Sequence, residues 1–225
     1  MTEAPEGYGA PLVSVDVVPV ALGAAGRPVV RLPRRRFDPY AGDRALPGVL
    51  LMDGERLHEA ALRALQTKAR ILQSWVTGVH QVRTFDTPGR DQRGPTISVA
   101  YVATVRAATA GPGWAPLNEA PAMPFDHGDI VEHARGFLLD RLWLEQGTLV
   151  KAMLGSTFTT AAAADLLDGL YPASRTVDRT NLPRFLKSQP FLHQTTAKGQ
   201  PGSRGGRPAA VWAFASVASA APAST

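Results

Sequence analysis

Leu46-Pro47-Gly48-Val49, Gly54-Glu55 and Arg63-Ala64-Leu65-Gln66-Thr67-Lys68 mark the stretch on which the reading of this chain turns. Residues 55–71 have helical spacing, with Leu57, Ala61, Ala64 and Leu65 on an apolar side. Glu59 and Arg63 stand four apart in the favourable order, an expected pair worth about a few tenths of a kcal/mol. Positions 64, 67 and 68 are i, i+3 and i+4 and share one face of the helix. They carry a methyl, a hydroxyl and an ammonium. A hard cation such as magnesium needs anionic oxygen ligands, and this face offers none.

Outward from that helix, the first part of the chain alternates strands and loops. Leu12 to Leu22 is Val-rich and reads as a strand, with Pro19 pointing to an edge or a bulge. Pro28 to Leu32 is a second short strand, and Arg34-Arg35-Arg36 opens a polar loop. Val79 to Phe85 and Thr96 to Arg106 read as strands, joined by the turn-rich Pro88-Gly89-Arg90-Asp91-Gln92-Arg93-Gly94. Residues 107–124 read as loop and 129–145 as a helix, with Asp126 as its cap and His127 capping or orienting its start. Trp114, Trp143 and Trp212 read as core or interface residues.

The second part changes character. Short helices are predicted over 148–154, 161–170 and 181–188, with Thr159 or Thr160 capping the second. A strand over 192–196, a basic Gly-rich loop over 198–207 and a returning strand over 209–214 follow. Three helices and a two-stranded wing are the plan of a winged helix-turn-helix. Residues 1–11 read as a flexible lead and 216–225 as a disordered Ala/Ser-rich tail. The first domain is expected over 12–146 and the winged helix over 147–215.

Charge follows the same division. Of the 24 Lys and Arg, 16 lie in residues 1–146, leaving 8; of the 19 Asp and Glu, 16 lie there too, leaving 3, so the whole formal charge of +5 falls in 147–225. A neutral unit followed by a basic one points to a polyanionic partner for the second. The chain has no cysteine, which excludes disulfides, thiolate nucleophiles and thiolate metal sites. The five histidines show no paired zinc spacing, and no apolar run is long enough to span a bilayer. A cytoplasmic location, without a membrane partner, is expected.

The segment 49–71 resembles an eroded Nudix box, G-x5-E-x7-R-E-U-x-E-E-x-G-U with U apolar. Glu55 and Arg63 match, Val49 replaces the opening glycine, and Ala64, Thr67 and Lys68 replace the three core glutamates. Thr84-Phe85, Gly89 to Gly94, Ser98 to Tyr101 and Phe125-Asp126-His127 are similar to first-half motifs of the NrtR family, Nudix-related transcriptional regulators of NAD metabolism. Phe158-Thr159, Leu170-Tyr171, Val177 to Leu182 and Gly206 to Ala209 resemble its second-half motifs. The resemblance spans residues 12–215. It departs at Gln92, where the family often has Pro, and at Pro183, where the recognition helix usually has Arg.

The resemblance implies an α+β chain: a Nudix α/β/α sandwich followed by a C-terminal winged helix-turn-helix. It implies a repressor of NAD biosynthesis or salvage genes, a homodimer on double-stranded operator DNA, that senses ADP-ribose or a related NAD metabolite. Without the box glutamates, neither a catalytic metal nor enzymatic activity is expected. The rival is a Nudix hydrolase acting on ADP-ribose-like nucleoside diphosphates, which needs a metal-bound water. A third reading has sensing lost as well.

The predicted DNA-binding residues are Arg179, Thr180, Asn181, Arg184 and Lys187 along the recognition helix. There Arg matches guanine O6/N7 and Asn matches adenine. Arg175, Lys198, Arg204 and Arg207 are placed for phosphates. The predicted ligand-binding residues are Arg34, Arg35, Arg36, Arg90, Asp91 and Arg93, because a diphosphate calls for the planar arginine fork. Asp91 either accepts from a ribose hydroxyl or clamps a neighbouring arginine, and charged loops of this kind are also commonly only solvated.

Overall fold

The computed structural model describes residues 10–106, 113–199 and 209–215. Arg204, Arg207, most of the basic wing loop, nearly all of the N-terminal lead and the tail 216–225 lie outside the described residues.

The strands β1 (Leu12–Leu22), β2 (Pro28–Arg31), β3 (Gly48–Leu50), β4 (Val76–Phe85), β5 (Thr96–Val105) and β6 (Trp114–Pro116) make one mixed sheet. The order is β4-β5-β1-β2-β6, with β3 also on β1; β1 runs parallel to β5 and antiparallel to β2 and β3. The predicted loop over 107–124 therefore contains a short strand, β6, within its described part.

β1 is covered on both faces, which is why it reads as a nearly unbroken apolar run. Val15, Val17 and Ala21 pack under α1 (Leu57–Ala64) with its buried Ala60, Ala61 and Ala64. Val18 and Val20 face α2 (His127–Arg141), against Ile130, Val131, Ala134 and Leu138. This is an α/β/α sandwich.

Pro19 corrects the expectation of an edge or bulge: it lies in a central strand. β3 pairs with residues 14–16 of β1 and β2 with residues 20–22. Val17 donates its N–H toward that side, to Pro47. Residue 19, two further on, points the same way, into the gap between the two partner strands. A residue without an N–H is tolerated there.

The expected helix 55–71 is α only over 57–64 and continues as a π-helical turn, Leu65–Ala69, closed by Arg70 in the left-handed region at φ 57°. The expected helix 129–145 begins two residues earlier and ends at Arg141; Glu145, Gln146 and Gly147, all at positive φ, then redirect the chain.

The second part holds α3 (Thr148–Leu154), α4 (Thr160–Leu170) and α5 (Leu182–Ser188) with a three-stranded sheet, β7 (Thr157–Thr159), β9 (Ala210–Phe214) and β8 (Leu192–Lys198), in the order β7-β9-β8. It is a winged helix. Thr159 caps α4, its Oγ1 accepting from Ala162 N–H at 3.0 Å, while Thr160 Oγ1 accepts from the buried Trp212 indole at 2.9 Å. Pro183 sits in the first turn of α5, where a missing N–H costs no helical hydrogen bond.

The apolar core under α2 does not stop at the sheet. Buried side chains run from Val18 and Leu138 through Leu166 and Leu170 to Leu186 and Trp212 in one connected cluster. Asn118 Nδ2 donates to the carbonyls of Asp168 and Tyr171, and Arg135 Nη1 to that of Leu170. These bonds fasten the C-terminal end of α4 to the sandwich.

Candidate functional site

A cavity of about 560 Å³ opens beside β1, between the loop after β2, the π-helical turn and the loop before β5. That is within the size range of small-molecule sites. Arg34, Arg35, Arg36, Arg90, Asp91 and Arg93 all line it. The six residues share this one cavity, and they do different work there.

Arg90 is a buried structural cation. Its Nε and Nη2 donate to both oxygens of Asp126 at 2.8 and 2.6 Å, and Asp16 lies at 3.8 Å. Asp126, expected as a helix cap, makes no capping bond and holds Arg90 instead. Asp91 clamps Arg93: both carboxylate oxygens accept from its guanidinium. The hydrogen bonds from Arg93 hold the Asp91 carboxyl below its ordinary range, and the same contact pushes Arg93 up. Asp91 thereby takes the clamping role of its two alternatives.

Arg63 corrects another expectation. It turns away from Glu59 to Glu55, with Nε and Nη2 each 2.7 Å from a carboxylate oxygen, and to the carbonyl of Leu50. Hydrogen bonding from Arg63 lowers the Glu55 carboxyl. Glu59 accepts from the N–H of Arg56 at the helix start, half of a capping box.

Arg34, Arg35, Arg36, Lys68 and Arg70 line the cavity and form no ion pair among the described residues. Arg34 and Arg35 are held by backbone carbonyls of Gly42 and Pro39. Arg35 also lies 4.9 Å from the Phe125 ring centre. The surplus is cationic, and it suits a ligand with phosphate oxygens. Thr67 and Lys68 reach this wall while Ala64 is buried under the sheet. Among the described residues no three His, Asp or Glu side chains are grouped to hold a metal ion. Ala64, Thr67 and Lys68 offer a methyl, a hydroxyl and an ammonium, a donor set that does not fit magnesium.

Sequence reasoning missed Asp16. It sits on β1 with Ser14 on the face that carries Val18 and Val20, and Ser98 of β5 donates to it at 2.6 Å. The signal was a carboxylate at alternating spacing inside an apolar strand. His127 is buried too. Its Nδ1 accepts the N–H of Leu46 at 3.0 Å, so it ties α2 to the start of the box segment and does not cap the helix. Burial lowers its pKa first; Asp16 and Asp126 oppose this, while Arg90 and Arg35 add to it.

On the winged helix, Arg184 and Lys187 are exposed on α5, and Thr180 is exposed just before it. Arg179 is half exposed, and its Nη2 donates to Asp165 at 2.9 Å and Asp168 at 2.7 Å of α4. Asn181 Nδ2 donates to Asp178 at 2.6 Å. Arg175 stacks over the Tyr171 ring at 4.1 Å, and Lys198 ends β8.

No family model matches the chain. Among solved structures, Shewanella oneidensis NrtR complexed with a 27mer DNA aligns with a TM-score of 0.68 at 23% identity, covering 90% of this chain and 93% of that one. The chain is NrtR-like in fold. The NUDIX domain of S. oneidensis NrtR complexed with ADP ribose aligns at 26% identity and a TM-score of 0.52, covering 60% of this chain and 94% of that one. An ADP-ribose pyrophosphatase of Methanocaldococcus jannaschii is 26% identical over 110 residues, 46% of this chain. The match spans 63% of that relative's length. The NrtR-like fold thus joins a Nudix sandwich to a winged helix in one chain.

Proposed function

We propose that this protein is a DNA-binding transcriptional regulator whose Nudix domain binds ADP-ribose or a related nucleotide without hydrolysing it. The observation that carries the reading is the replacement of a carboxylate face by Ala64, Thr67 and Lys68 beside a cavity rich in cations that form no ion pair among the described residues. Such a wall attracts a diphosphate and holds no catalytic metal. The NrtR structures with DNA and with ADP ribose support the two ligands.

In this reading the protein is a homodimeric repressor of NAD biosynthesis or salvage genes. Arg184 and Lys187, with Arg179, Thr180 and Asn181, face the major groove. Arg175, Lys198, Arg204 and Arg207 take phosphates. Ligand shifts the population between two placements of the winged helices, only one of which matches the half-site spacing. A differential affinity of about 1–3 kcal/mol is enough to switch occupancy severalfold.

The contact route is short. The cavity residues Pro33 to Arg36 follow β2 directly. The start of β2 packs on α4, where a Cβ at Gly169 would come 2.5 Å from Pro28 Cδ. α4 in turn holds Arg179.

The test is selection of duplexes from a random library by the full chain, followed by titration of ADP-ribose against the selected duplex. A recovered consensus whose affinity changes at least severalfold with ADP-ribose is expected. Absence of any consensus would discard the regulator. The relative from M. jannaschii favours a hydrolase as second reading; magnesium-dependent cleavage of ADP-ribose at enzymatic rates would establish it.

A further inference from the structure

The floor of the cavity holds two polar atoms, Asp16 Oδ1 and His127 Nε2, that face each other at 3.8 Å and make no side-chain hydrogen bond among the described residues. Asp16 and His127 are 6% and 4% exposed, and both line the cavity. Asp16 Oδ2 accepts from Ser98 Oγ at 2.6 Å and from Ser14 Oγ at 3.2 Å. Oδ1 accepts no hydrogen bond among the described residues, and it stands 3.8 Å from His127 Nε2, beyond hydrogen-bond reach. Since His127 Nδ1 accepts from Leu46, the neutral ring carries its proton on Nε2. A donor and an acceptor therefore face the cavity side by side.

Gly48 supplies an independent observation. A Cβ at that position would lie 2.0 Å from Asp16 Oδ1. Any side chain there would sit on the free carboxylate oxygen, so the glycine keeps Oδ1 open. Gly48 itself lines the cavity.

We propose that Asp16 and His127 together read a hydroxyl group of the bound ligand: Nε2–H donates to the hydroxyl oxygen, and the hydroxyl proton is given to Oδ1. The hydroxyl is the group that both accepts and donates at one atom. A phosphate oxygen cannot donate to Asp16 and is repelled by it, and an ammonium cannot accept from His127. This assigns the phosphates to the arginine wall and a sugar hydroxyl to the floor. It rests on the nucleotide-binding reading above and adds its specificity element. A ligand lacking that hydroxyl leaves two buried polar groups unpaired, which penalises it strongly.

The experiment is calorimetric titration of the full chain with ADP-ribose, with analogues lacking one ribose hydroxyl each, and with inorganic pyrophosphate. One deoxy analogue is expected to bind at least about tenfold more weakly than ADP-ribose. Asp16→Asn is expected to erase most of that discrimination and to bind pyrophosphate more tightly, because the repelling charge is gone. Should the variant fail to fold, the wild-type analogue series decides alone. Equal affinity for every deoxy analogue, or full discrimination retained by a folded Asp16→Asn, would overturn the hydroxyl assignment while leaving nucleotide binding intact. A wild-type chain that binds neither ADP-ribose nor pyrophosphate would overturn both.

Discussion

Arg90 and Asp126 meet in a two-point ion pair, Nε to Oδ2 at 2.8 Å and Nη2 to Oδ1 at 2.6 Å, that ties the loop between β4 and β5 to the residue before α2. The Arg90 side chain is 5% exposed and that of Asp126 15%. Removing one partner leaves a buried charge uncompensated. Arg90→Ala is expected to cost about 3–5 kcal/mol, read as a lower denaturant midpoint at unchanged slope. Arg90→Met with Asp126→Leu is expected to recover most of it. A single variant as stable as the parent would show the pair to be inert.

Acid should weaken the fold through His127. Burial holds its pKa below the ordinary 6.5, so the unfolded chain takes up the proton first. Its contribution is complete above the unfolded value and is lost as pH falls below it. His80, also lowered by burial, acts in the same direction. Unfolding free energy measured by denaturant at pH 7 and at pH 5.5 is expected to fall. The fall should be smaller in His127→Asn, whose amide oxygen can accept from Leu46. An identical pH dependence in the variant would remove His127 from the account.

Arg70 stands where the box pattern has glycine, and it adopts the left-handed conformation that glycine adopts freely. Arg70→Gly should relieve about 1 kcal/mol of backbone strain and raise the melting temperature. Because Arg70 also lines the cavity, pyrophosphate affinity should drop. Stability and binding moving together would contradict the assignment of Arg70 to the cationic wall.

Arg179 and Arg184 separate two roles on the winged helix. Arg184→Ala with Lys187→Ala removes exposed charge and is expected to abolish duplex binding without moving the melting temperature. Arg179→Ala also frees Asp165 and Asp168, so it should lower both binding and stability. A gel shift with melting curves for the variants distinguishes them; duplex binding by the double variant at parental strength would discard α5 as the contact element.

Much of this was legible in the sequence because the relevant signals are local. Helix 148–154 matches to the residue, since a left-handed Gly147 and the glycine at 155 bracket it. The six charged loop residues reach one cavity because their two loops leave the same end of the sheet and converge there. What escaped depends on distant partners. β7 has three residues and exists through its pairing with β9, more than fifty positions away. Arg63 chose Glu55 over Glu59 because Leu50 offered a second acceptor across the helix start. Asp16 was hidden in an apolar strand, and only its neighbours Ser98, Gly48 and His127 reveal it as part of the site.

The central claim is that the cavity binds a nucleoside diphosphate with arginines and lysine in place of a metal. Calorimetric titration of the full chain with ADP-ribose, in magnesium and again in chelator, tests it most directly. The account predicts the same saturable binding in both buffers, with the ligand recovered intact. Sustained heat of turnover that requires magnesium, with AMP released, would contradict it.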